Sequence, residues 1–193
     1  AVGIVTLSAP RRAIEVLKSV VIETDKGVVE LHPYDRGLAL EVEIDFDNPL
    51  IGRQSASLEL SPSSFRKNVA RARTFGFMDD VAKLWAANRA LGASLDNTVV
   101  LAEDRVLNPE GLRYADEFVR HKLLDAIGDL ALVGAPLLGR FRSYRGGHRL
   151  NLALVRALLA DRSAYRIVEP VVRRERGHAD LGLATAAYLP DMN

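Results

Sequence analysis

Apolar and polar residues alternate most cleanly in Leu38-Ala39-Leu40-Glu41-Val42-Glu43-Ile44-Asp45-Phe46, with Leu38, Leu40, Val42, Ile44 and Phe46 on one side and Glu41, Glu43 and Asp45 on the other. A period of two predicts a strand with one buried and one solvated face. The Val- and Ile-rich stretch Ala13–Thr24, the turn residues Asp25-Lys26-Gly27 and the extended Val28–His32 predict a hairpin. Shorter strands are expected at Gln54–Leu60, Leu137–Tyr144 and Tyr165–Val168. The period changes at Phe118, Val119, Leu123, Leu124, Ile127 and Leu130, where spacings of three and four predict a long amphipathic helix. Asp116 and Glu117 open it, where carboxylates complement the helix dipole, and Gly134 and Pro136 end it. A second helix is expected at Arg149–Ala160, its apolar face being Leu150, Leu154, Val155, Leu158 and Leu159. Ser61 before Pro62 is a hydroxyl N-cap with proline in the first turn, and that helix is expected to run through Phe65, Val69 and Ala72. Extended Arg73–Met78, a short helix around Asp80–Asn88 and an apolar strand Thr98–Ala102 predict a compact βαβ unit over about 73–102. The fold class that follows is α+β: a two-layer sandwich with a mixed, mostly antiparallel sheet packed on helices and a small βαβ insert.

The two ends lack this periodicity. Residues 1–10 read as a linker leading in from an earlier domain, 11–168 as the domain itself, and 169–193 as a tail, flexible or packed on a partner. With 193 residues, 48% hydrophobic and 26% charged, the chain has enough apolar surface for one well-buried domain. A net charge of +1 gives no broad electrostatic case for nucleic acid or an anionic membrane. No stretch has membrane-spanning length, and nothing has the layout of a signal peptide. The absence of cysteine excludes disulfides and thiolate zinc sites, so any metal must be held by His, Asp, Glu or water.

That constraint directs attention to the long helix. His121, Asp125 and Asp129 lie four residues apart and project along one stripe. An imidazole and a carboxylate one turn apart can close on a metal ion, although a bare pair of this kind is most often an ordinary half-buried surface. Of the other histidines, His32 sits at a strand end and reads as structural, and His178 lies in the polar tail. His148 follows Gly146-Gly147 and opens the last helix, where glycines allow close backbone approach to a ligand. His121 and Asp125 could supply two ligands and Asp129 could orient His148. Catalytic zinc takes three protein ligands plus water, and no residue of the pattern announces itself as the third.

Several longer motifs occur in a fixed order: Arg71-Ala72-Arg73-Thr74-Phe75-Gly76-Phe77-Met78, Ser94-Leu95-Asp96-Asn97, Arg105-Val106-Leu107-Asn108, Gly111-Leu112-Arg113, the run Asp116 to Asp129, and Gly147-His148. From about Ala1 to Val168 the chain closely resembles the C-terminal half of the UDP-3-O-acyl-N-acetylglucosamine deacetylases, the zinc amidases of lipid A biosynthesis. The resemblance implies a two-domain enzyme, each domain a two-layer α+β sandwich, with the active site between them. It implies hydrolysis of the acetamide of UDP-3-O-acyl-N-acetylglucosamine to the free amine and acetate, with Zn2+ as cofactor, in the cytoplasm or at the periphery of the inner membrane. His121 and Asp125 would be zinc ligands, Asp129 would pair with His148, Lys122 would contact substrate, and Thr74 would stabilise the oxyanion. Phe75, Phe77, Met78, Val81 and the stretch Leu91–Thr98, including Ala93, Ser94 and Thr98, would line a passage for the fatty acyl chain.

Two departures qualify what the resemblance implies. The family's third zinc ligand, a histidine, and its general base, a glutamate, belong to a His-Glu-His-Leu-like motif of the N-terminal domain, and Ala1–Pro10 supplies neither. The chain is therefore expected to need that domain, in the same or another polypeptide, and to be inactive alone. The smaller departures are Arg145-Gly146-Gly147-His148, where the family usually has Lys-Ser-Gly-His, and Gly92-Ala93-Ser94, where it usually has Gly-Gly-Ser. Arg145 keeps the charge as a fork, not a point. Competing readings are a non-catalytic nucleotide-sugar or acyl-chain binding module and a structural fragment.

Overall fold

The computed structural model of the chain describes residues 11–169, apart from the side chains at positions 81, 82 and 85. The expected linker and all but the first residue of the expected tail lie outside the described residues, as does the side chain of Val81. The strands are β1 (Ala13–Val16), β2 (Val20–Thr24), β3 (Gly27–His32), β4 (Leu38–Asp45), β5 (Arg53–Glu59), β6 (Thr74–Phe77), β7 (Thr98–Leu101), β8 (Leu137–Tyr144) and β9 (Tyr165–Val168). The helices are α1 (Pro62–Asn68), α2 (Met78–Ala86), α3 (Glu117–Leu130) and α4 (His148–Ala160), with a 3-10 turn, Ala131–Val133, after α3.

Seven strands form the main sheet, and β8 is its hub. It pairs antiparallel with β3 and parallel with β4 over most of its length, while β1 takes its first two residues in parallel. β2, β5 and β9 extend this set through antiparallel pairing with β3, β4 and β1. The inward residues Val29, Leu31, Leu40, Val42 and Phe141 meet Phe118, Leu123, Leu130, Leu154 and Leu158 of α3 and α4, which gives one continuous core. The outward face is polar. On it Glu41 accepts from Arg140 at 3.1 Å and from Arg142 at 2.8 Å. This is the expected two-layer α+β sandwich. Among the described residues no helix is long and apolar enough to cross a membrane.

Local departures from the sequence reading have local causes. Ala13–Thr24 is two strands, because the chain breaks at Leu17-Lys18-Ser19 and β1 and β2 pair with different partners. Ser61 does cap α1: its Oγ accepts from Ser64 N at 3.1 Å, and Ser64 Oγ accepts from Ser61 N at 2.9 Å, a reciprocal box. The helix ends at Asn68, short of Ala72, and Val69 and Ala72 are buried in the connection that follows. β6 and β7 pair in parallel, Thr74 opposite Thr98 and Phe77 opposite Leu101, with α2 as their crossover. The expected βαβ insert is therefore present.

Candidate active site

A helix rises by 3.6 residues per turn, so His121, Asp125 and Asp129 share one face of α3, and that face meets the start of α4. His121 Nε2 lies 3.2 Å from Asp125 Oδ1. Lys122 Nζ donates to the other carboxylate oxygen of Asp125 at 2.6 Å. One turn on, both oxygens of Asp129 lie within reach of His148 Nδ1, at 3.0 and 2.9 Å. His148 Nε2 points back to Asp125 Oδ2 at 3.8 Å. His121, Asp125 and Asp129 are largely buried, whereas the His148 side chain is 68% exposed. The stripe is thus an embedded acid–base row with one imidazole open to solvent.

Burial alone would push the Asp125 carboxyl up, but its bonds to His121 and Lys122 outweigh that and hold it down at about 2. It is consequently a carboxylate throughout the neutral range, as a metal ligand must be. The donors are right for zinc in kind, and His121 Nε2 and Asp125 Oδ1 converge closely enough for one ion to engage both. They are two, however, and among the described residues no group of three His, Asp or Glu side chains gathers to hold an ion. The residues present fit part of a zinc site.

Thr74 opens β6 with its side chain exposed, immediately before Phe75. The Phe75 ring stands edge-on to His121 at 6.2 Å, to Phe118 at 5.0 Å and to Phe46 at 5.7 Å. Phe75 and Phe77 pack against the core and so fix β6 beside α3. Met78, Ala93, Ser94 and Thr98, with Leu95, Val100 and Leu107 but without Phe75 or Phe77, line a largely apolar cavity of about 280 Å³. Buried Asn108 stitches its wall, accepting from Val100 N at 2.9 Å and donating to Leu95 O at 2.7 Å and Thr98 O at 2.8 Å. On the other side of Lys122 is a polar recess of about 330 Å³ lined by Lys26, Lys122, Arg145, Asp45, Asp47 and Phe46. Arg145 sits in the left-handed region, φ 51°, at the turn into α4. A Cβ on Gly146 would come within 2.2 Å of Ser143 Oγ and 2.8 Å of Val29 Cγ1, so any side chain there requires these two neighbours to shift.

Three residues that hold this arrangement were not singled out for that role from the sequence pattern. Glu117, fully buried, faces inward, not along the helix dipole. Its Oε1 accepts from Arg73 N at 2.9 Å and Arg73 Nε at 3.0 Å, and its Oε2 from Arg73 Nη2 at 3.1 Å and Arg113 N at 2.6 Å. Arg73 also donates to Glu110 and, at 2.7 Å, to Gly111 O. The carboxylate therefore ties the residue before Thr74 to the helix that carries His121. The third is Asn151, whose Nδ2 donates to Asp129 Oδ2 at 2.8 Å. Its i, i+3 spacing from His148 was the available clue, since α4 residues so spaced share a face.

Comparison with known proteins bears on the whole chain. The sequence model of the UDP-3-O-acyl N-acetylglycosamine deacetylase family matches residues 1–160. The proteins named UDP-3-O-acyl-N-acetylglucosamine deacetylase from Brucella ovis, Brucella canis and Brucella suis are each 56% identical to it over 169 residues, 87% of this chain. The matched part is 59% of the length of these relatives. On these matches the chain belongs to the UDP-3-O-acyl N-acetylglycosamine deacetylase family.

Proposed function

We propose that this chain is the C-terminal half of a zinc-dependent deacetylase that hydrolyses the acetamide of UDP-3-O-acyl-N-acetylglucosamine in lipid A biosynthesis. The observation that carries the reading is the convergence of His121 Nε2 and Asp125 Oδ1 at 3.2 Å beside the Asp129–His148 pair. His121 and Asp125 hold the zinc. Bound there, zinc supplies Lewis-acid polarisation of the carbonyl and water acidic enough to lose a proton near neutrality. The Thr74 hydroxyl donates to the carbonyl oxygen as it gains charge. An ionised Asp129 accepts only, so His148 carries a proton on Nδ1 and is turned to offer Nε2–H to the departing amine. Lys122, Arg145 and Lys26 place three cations on the polar recess, beside the carboxylates of Asp45 and Asp47, and a diphosphate would be held by the cations. The cavity at Met78, Ala93, Ser94 and Thr98 takes the acyl chain. The third ligand and the general base come from the family's N-terminal domain, in the same or another chain.

Zinc titration of the chain tests this. Weak one-to-one binding is expected, abolished in His121→Ala and in Asp125→Asn. Binding that survives both substitutions would overturn the assignment of the site. The acyl cavity has its own test. Ala93→Gly removes a methyl from the wall, and the preferred acyl chain should lengthen by about one methylene, with kcat/KM for the longer substrate rising roughly fourfold at about 0.8 kcal/mol per buried CH₂. An unchanged chain-length profile in the assembled enzyme would remove Ala93 from the specificity wall.

A second reading, a nucleotide-sugar or acyl-chain binding module without turnover, draws support from the apolar cavity and the polar recess both being formed within this chain. Full-affinity substrate binding that is indifferent to zinc would favour it.

A further inference from the structure

Asn151, 3% exposed, is buried where α4 meets α3, one turn beyond His148. Its amide nitrogen donates to Asp129 Oδ2, the carboxylate that also receives His148 Nδ1. Its own Oδ1 is buried with no hydrogen-bond partner among the described residues. The amide cannot be turned over to relieve this, because Oδ1 would then face the carboxylate. A buried carbonyl oxygen left without a donor costs about 1–3 kcal/mol. Leu150, Leu154, Val155 and Leu158 are buried on the same helix, so a leucine of similar size suits these surroundings without that cost. The orphan oxygen offsets the charge-assisted bond that Nδ2 makes to Asp129, so stability alone gives little reason for asparagine at this position.

What the amide does, and leucine cannot, is fix a carboxylate plane. His148 is mostly exposed and has little packing of its own, so Asp129 sets its orientation. Asp129 in turn can rotate about its Cβ–Cγ bond unless one oxygen is held. We propose that Asn151 is a positioning residue: it locks Asp129 so that both oxygens face His148 Nδ1, which keeps that imidazole in the Nδ1–H tautomer with Nε2 directed along the stripe toward Asp125. The positioning stands on the geometry, and its consequence for turnover rests on the deacetylase reading above.

Long-range ¹H–¹⁵N spectra of the labelled 193-residue chain at a fixed alkaline pH read the tautomer, His148 being assigned with His148→Gln. Wild type should show His148 in the Nδ1–H form. Asn151→Leu should return it to the tautomer mixture of a free imidazole while the Tm stays level or rises, a combination that a merely structural role does not produce. Asn151→Ala supplies the same readout should leucine fail to fold. Retention of the wild-type tautomer in either folded variant overturns the proposal. In the deacetylase assembled with its N-terminal domain, Asn151→Leu should lower kcat about 10–100-fold with KM unchanged, as loss of an orienting partner does elsewhere. An unchanged kcat overturns the link to turnover. Failure of the wild-type assembly to deacetylate would instead overturn the functional reading and leave the spectra to decide on Asn151.

Discussion

Glu117→Ala should destabilise the chain by about 3–5 kcal/mol, the cost of leaving a buried cation without its counter-charge. For a domain of this size that is a fall of roughly 6–20 °C in Tm. Arg73 is 3% exposed, and Glu117 takes two hydrogen bonds from its guanidinium, one from its backbone N–H and one from that of Arg113. Glu110 still reaches Arg73 in the variant, which softens the loss without replacing the backbone bonds. Replacing both charges, Arg73→Met with Glu117→Leu, should recover much of the deficit, because the pair then leaves together. Burial alone would push the Glu117 carboxyl up, but the bonds from Arg73 and Arg113 outweigh it and hold it below its usual range. A depressed folded-state pKa stabilises fully above the unfolded value of about 4.3, and that contribution is lost as pH falls through the folded value. The gap between wild type and Glu117→Ala should therefore be widest near neutrality and close in acid. Thermal melts over that pH range check it, and a variant that melts with wild type at pH 7 would show the clamp to be dispensable.

The same clamp marks where sequence reading stops. Glu117 at a helix start looks like a carboxylate placed for the dipole, and nothing in local spacing shows that it points inward. Its partner Arg73 is 44 residues away, and only the folding of the insert onto α3 brings them together. Asn151 was hidden for a related reason: its partner, Asp129, is 22 residues away on another helix. By contrast, the α3 stripe was legible because 3.6-residue periodicity alone puts His121, Asp125 and Asp129 on one face. β4 was legible because one side is buried and the other solvated, so its alternation is complete. Ala13–Thr24 was not, since Val- and Ile-rich residues continue across the point where pairing partners change. The polar recess gathers Lys26, Phe46, Lys122 and Arg145 from four separate segments, and no one-dimensional pattern joins them. What lies within one element could be read directly, whereas packing between elements was reached only where the family resemblance supplied it, as for Asp129 with His148.

The 193 residues alone should turn over UDP-3-O-acyl-N-acetylglucosamine at less than about 10⁻⁴ of the rate reached with the family's N-terminal domain supplied. A general base is worth about 10²–10⁴ in rate, and loss of transition-state charge stabilisation adds about 10²–10³. Both fall on this chain: it holds four histidines, none in a His-Glu-His-Leu-like run, and the two donors on α3 stand without a third among the described residues. On the proposed reading it retains what α3 and α4 can pre-set, namely an ionised Asp125, an imidazole paired with Asp129, and the two cavities assigned to the substrate. Those parts are held in place by the chain's own core, so supplying the family's N-terminal domain in trans should raise turnover without refolding this one. Deacetylation is measured as acetate release, with chain alone, partner alone and both together, and with His121→Ala in the mixture as the control. Turnover by the chain alone within about 100-fold of the mixture, and lost in His121→Ala, would mean that these residues complete the site by themselves and that the half-site account is wrong.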